Sequence, residues 1–202
     1  MLRFRFFNTV FEVSYLLTAV MSLSVILSGK ESLLPLCLLS AVVHESGHLL
    51  FLYKFGASPS RISLKLSDVR IVSDFTALSL NQELMVVAAG PLANLLLSAI
   101  SFIMYWCFSV TLFLQLCITS LCIGIFNLLP VRTLDGEQML SLLLLRKIDD
   151  KAGNLIINIV SIIIILPVAT AGFLLLLSNK HNYTLLIVAA YLVFSVISKE
   201  MR

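Results

Sequence analysis

Long apolar runs separated by short polar connections dominate this chain. A helix needs about 20 mostly apolar residues to cross a bilayer. Six stretches come close to that length: 9–28, 33–53, 82–107, 110–129, 154–177 and a shorter one at 183–198. Between the second and third the period changes. Ile62, Leu64 and Leu66 alternate with Arg61, Ser63, Lys65 and Ser67, and Val69, Ile71 and Val72 follow. That alternation predicts a short β-hairpin turning near Ser67-Asp68, with one apolar face; an irregular interfacial loop is the alternative. The connection at 130–153 holds Pro130, Asp135 and Gly136, then Met139 to Leu145. This last apolar stretch is too short to span, so it reads as a half-helix or an amphipathic surface helix. The pattern predicts an all-α integral membrane protein of about six transmembrane helices. The hairpin lies on the cytoplasmic side between helices 2 and 3, and residues 1–202 form one polytopic domain.

Composition agrees with this reading. Apolar residues fill 59% of the 202 positions and charged residues 12%, about half the charged share of a soluble domain. Met1-Leu2-Arg3-Phe4-Arg5 resembles the start of a signal peptide. The apolar run after it is long for one and no A-x-A-like site follows, so it is read as the first span. A net charge of +3, without a basic run interleaved with aromatics, argues against nucleic acid as a partner. The cations report orientation instead. With the N-terminus in the cytoplasm, Arg3, Arg5, Lys54, Arg61, Lys65, Arg70, Arg132, Arg146, Lys147, Lys151, Lys199 and Arg202 fall inside; Lys30 and Lys180 fall outside. Twelve against two puts both termini in the cytoplasm. Cys37, Cys107, Cys117 and Cys122 lie in apolar segments without ligand spacing and read as small buried side chains.

Against this background His44-Glu45-Ser46-Gly47-His48 stands out, three ionisable groups in five residues of a predicted span. H-E-x-x-H on a helix puts two imidazoles on one face, spaced to share a zinc ion, and Glu45 beside them can act as general base toward water. A hydrolytic zinc site takes three protein ligands and keeps one position open. His181, the remaining histidine, lies in a short outer loop and reads as a solvated residue. Asp135 follows the fourth span on the side of His48, within Asn127-Leu128-Leu129-Pro130-Val131-Arg132-Thr133-Leu134-Asp135-Gly136. Alone, Asp135 reads equally as a helix N-cap or as a ligand. Beside an H-E-x-x-H that needs a third donor, the ligand reading leads. In the third span, Ala88-Ala89-Gly90-Pro91-Leu92-Ala93-Asn94 sets small residues and a proline next to an amide. Asn94 reads as interhelical glue or as a donor toward a substrate carbonyl.

HESGH, then AAGPLAN, then NLLPVRTLDG resembles the site-2 protease family of intramembrane zinc metalloproteases, over about residues 40–140. It is most similar to the small bacterial branch that includes the sporulation pro-sigma-factor protease. The resemblance implies one zinc ion held by His44, His48 and Asp135, with Glu45 as catalytic base. It implies substrate contact for Asn94, and Asn127 at the start of the last motif joins it as a candidate. The family often has proline where Thr133 stands and a second glycine where Glu137 stands, so Glu137 adds a carboxylate near the metal. No PDZ or CBS appendage is expected. The expected activity is hydrolysis of a peptide bond in or near the transmembrane segment of a membrane-tethered protein, in a bacterial cell membrane. An unpaired hairpin edge within 60–72 would hold the unwound substrate as an added strand. A divalent-metal transporter or an inactive membrane scaffold is the alternative; neither needs a glutamate beside the first histidine.

Overall fold

The computed structural model describes residues 2–6, 9–13, 33–57, 61–65, 68–72, 78–132, 134–144, 148–178 and 190. The chain divides into two compact units, residues 1–124 and 125–202.

The first unit opens with a sheet. β1 (Leu2–Phe6) and β2 (Thr9–Val13) are antiparallel, and β2 pairs in parallel with β3 (Arg61–Lys65). β4 (Asp68–Val72) closes the order β1-β2-β3-β4, antiparallel to β3 with Ile62 opposite Ile71. Residues 66–67, part of the expected turn, lie outside the described residues. Two expectations change here. Among the described residues four strands accompany the helices, two more than a hairpin alone would give. Residues 9–13, assigned by hydropathy to a first span, form β2. Hydropathy over a window registers apolar content and not period. Leu2-Arg3-Phe4-Arg5-Phe6 alternates, and Thr9-Val10-Phe11-Glu12-Val13 is rich in β-branched and aromatic residues. Arg3 stands opposite Glu12 in the register, and their side chains form an ion pair at 2.9 Å with Glu12 buried. The rest of the proposed first span, and the stretch at 183–198 except residue 190, lie outside the described residues.

The remaining spans of this unit are helical. α1 covers Leu34–Lys54, α2 Leu80–Phe108 and α3 Thr111–Asn127, the last running three residues into the second unit. α2 begins with a capping box: the Gln82 N–H donates to Ser79 Oγ, and the Ser79 N–H donates to Gln82 Oε1. It ends at Ser109, in the left-handed region at φ 54°. α1 and α2 run antiparallel, since His48 meets Val86 while Ser40, about two turns back, meets Asn94.

The buried stripes are unlike those of a soluble bundle. α1 buries Ser40, His44, His48 and Leu52 at spacings of four, and α2 buries Ala89, Gly90, Pro91, Asn94, Ser98 and Ser101. α3 buries Cys117, Ser120 and Gly124. Many of the large apolar side chains point outward instead, with Leu96 and Trp106 63% and 79% exposed. Lipid removes the hydrophobic drive for helix pairing, so close packing of small residues and interhelical hydrogen bonds replace it. Ser98 donates to the Cys117 carbonyl at 2.9 Å, and Ser120 donates to the Asn94 carbonyl at 3.0 Å.

In the second unit α4 (Asp135–Leu144) and α5 (Asp150–Ser178) follow a tight segment after α3. Val131 and Leu134 are buried against Ile165, with Phe126, Leu129 and Ile164 around them. Among the described residues three helices, Leu34–Lys54, Leu80–Phe108 and Lys151–Ala171 within α5, are long and apolar enough to cross a membrane; α3 is a shorter apolar helix.

Candidate metal centre

His44 lies ten residues in from either end of α1, about 15 Å of helix on each side. Spacing of four keeps His44 and His48 on the buried face, 5% and 9% exposed. Their Nε2 atoms converge to 3.3 Å, with the rings edge to face. The outer nitrogens are tied down. His48 Nδ1–H donates to the Val86 carbonyl at 2.8 Å, and His44 Nδ1 lies 3.1 Å from Asn94 Nδ2.

Two glycines make this approach possible. A Cβ on Gly90 would collide with both imidazoles, so only glycine leaves the ring nitrogens their room on α2. A Cβ on Gly47 would lie 2.5 Å from the Ala89 carbonyl oxygen and 2.9 Å from Ala93 Cβ, so glycine also sets the spacing of α1 and α2. Glu45, one residue on, is half-buried on the adjoining face of α1.

In the second unit Asp135 heads α4 and is half-buried, next to buried Gly136 and Glu137. The segment leading to it is anchored on α5. Ser161 Oγ donates to the Pro130 carbonyl and accepts from the Arg132 N–H, both at 3.3 Å. The buried Arg132 guanidinium donates through Nε to Asn158 Oδ1 at 2.7 Å and reaches Asn154 Oδ1 at 3.5 Å. Asn127 is the last residue of α3 and partly buried. His181 lies outside the described residues.

The first unit therefore brings together His44, His48 and Asn94, with Glu45 alongside. Asn94, assigned to substrate by resemblance, is fully buried among protein groups. Sequence reading missed Ser40 and Ser120, which flank the Asn94 amide. It also missed Asn154, Asn158 and Ser161. The signal was present: three polar residues at helical spacings of four and three interrupt an apolar span. Of the four cysteines, which form no disulfide, Cys117 is buried, Cys37 half-buried and Cys107 and Cys122 exposed.

The model for Peptidase family M50 matches residues 106–168, from the end of α2 into α5, the part that carries Asp135 and its anchor. Among solved structures, the Site-2 Protease from Methanocaldococcus jannaschii aligns with a TM-score of 0.70 at 24% identity, covering 100% of this chain and 95% of that chain. The comparison with curated proteins gives no match. The chain thus has the fold of a site-2 protease, and the M50 match with this fold supports a membrane-bound metalloprotease.

Proposed function

We propose that this protein is an intramembrane zinc endopeptidase that cuts a membrane-tethered protein or peptide in or near its transmembrane segment. The observation that carries this reading is the histidine pair: two converging Nε2 atoms, deep in an apolar helix, with a glutamate beside them. His48 suits a metal ligand, since its Nδ1 is spent on a carbonyl that can only accept, leaving Nε2 its lone pair. Gly90 keeps the space in front of both rings. Asp135 is the third ligand in this reading, supported by the donor chemistry of a two-histidine, one-carboxylate zinc site and by the M50 match over its segment.

Bound zinc supplies a Lewis acid that polarises the scissile carbonyl and activates water near neutral pH. Glu45 takes the proton from the attacking water and returns it to the leaving amine as the C–N bond breaks. A substrate helix has its carbonyls hydrogen-bonded internally, so it unwinds before it is cut, and the outer edge of β4 offers replacement partners. Both termini are cytoplasmic in this reading, from the distribution of Lys and Arg.

Glu45→Gln tests the assignment. The variant keeps its zinc and loses proteolysis by the roughly 10²–10⁴-fold that a general base contributes. Metal analysis of the purified variant beside a cleavage assay decides between roles. Loss of zinc would make Glu45 a ligand, and full activity would remove it from the chemistry.

A further inference from the structure

The two histidines are held by chemically different partners. His48 Nδ1 faces the Val86 backbone carbonyl at 2.8 Å. A carbonyl only accepts, so the ring proton is fixed on Nδ1 and Nε2 is free of it. His44 Nδ1 faces the carboxamide of Asn94 at 3.1 Å. A carboxamide presents a donor or an acceptor according to which way it is turned. With Nδ2 toward the ring, Asn94 donates to Nδ1, and the His44 proton sits on Nε2, directed at His48 Nε2 3.3 Å away. A metal on His44 Nε2 requires the other tautomer, with the proton on Nδ1 and an acceptor facing it.

We propose that Asn94 is a positioning residue for His44, turning its carboxamide over so that Oδ1 accepts from Nδ1–H when Nε2 ligates a metal. The inference rests on the metal-centre reading above. The surroundings suit both orientations. Oδ1 now lies 3.4 Å from Ser40 Oγ and 3.5 Å from Ser120 Oγ. A half-turn would place Nδ2 there instead, and a hydroxyl oxygen accepts as readily as it donates. Ser120 spends its own hydrogen on the Asn94 backbone carbonyl at 3.0 Å, which leaves its lone pairs for the amide. Asn94 is 0% exposed, so its side chain acts on the histidine and not directly on substrate.

The experiment measures zinc affinity of the purified full chain by competition with a chromophoric chelator, together with the ligand-field spectrum of the cobalt-substituted protein. Asn94→Leu should weaken zinc binding about 10–100-fold, the usual cost of losing an outer-shell partner. It should also shift the cobalt spectrum. Asn94→Asp, whose carboxylate always accepts from Nδ1–H, should bind zinc at least as tightly as the wild type. Wild-type affinity in Asn94→Leu, or weakened affinity in Asn94→Asp, overturns the proposal. If the leucine variant does not fold, the aspartate variant decides alone. His44→Ala separates the two levels: if it binds zinc like the wild type, the metal centre itself is wrong. If it loses zinc while Asn94→Leu does not, only the role of Asn94 falls.

Discussion

At the scale of single residues, the site is a problem of keeping polar groups inside an apolar helix. His44 and His48 are buried, and an unpartnered polar group there costs several kcal/mol, of the order of 2–7. Each ring therefore holds a partner at Nδ1, which leaves the Nε2 atoms facing one another. The carboxylates divide by position. Asp135 opens α4, and Glu137, two residues on, is rotated about 200° around the helix axis from it. Asp135→Ala should therefore lower zinc affinity by more than the roughly 10–100-fold of an outer-shell loss, and Glu137→Ala should leave zinc occupancy unchanged. Chelator competition on the two variants separates them. Normal zinc in Asp135→Ala would remove the third ligand.

At the scale of elements, pairing alters what the strand region can do. Ile62 and Leu64 belong to β3, which has β2 on one side and β4 on the other. Proline at either position removes a sheet hydrogen bond and breaks the element itself, without testing a free edge. Among the described residues β4 is an outer strand of the sheet, so a proline scan over Asp68–Val72 is the informative one. Alternate positions direct their N–H outward. Those prolines should slow cleavage while zinc content stays normal, and prolines at the inward positions should disturb folding as well. Normal cleavage in every variant would leave the strand as a linker only. In the second unit the polar positions of α5 have a comparable fixed purpose: Asn158 and Ser161 hold the segment from Pro130 to Arg132, and thereby the start of α4.

At the scale of the whole molecule, orientation in the bilayer follows from charge. The proposed cytoplasmic location of both termini rests on the imbalance of twelve cations to two between alternate connections. A cysteine introduced at Asn179 should react with an impermeant reagent added from outside, and one introduced at Ser60 should not. The reverse pattern would invert the protein in the bilayer.

Much of this was legible in the chain. Three of the apolar runs fold as helices of spanning length, because twenty apolar residues in lipid satisfy their backbone only as a helix or in a closed barrel. The spacing of His44 and His48 fixed their shared face, since the helical repeat is local. Strand β2 was not legible from hydropathy. Its apolar content matched a span, and its partner β3 lies some fifty residues away, so only the register of Arg3 with Glu12 and of Val10 with Arg61 resolves it. The inward role of Asn94 was equally hidden. An amide in a membrane helix announces a polar contact, but whether it meets substrate, a neighbouring backbone or a histidine depends on which helix lies against it. Glycine and alanine at Gly47, Ala89 and Gly90 allowed α1 and α2 to close, and that approach, set by packing between distant segments, made Asn94 a partner of His44.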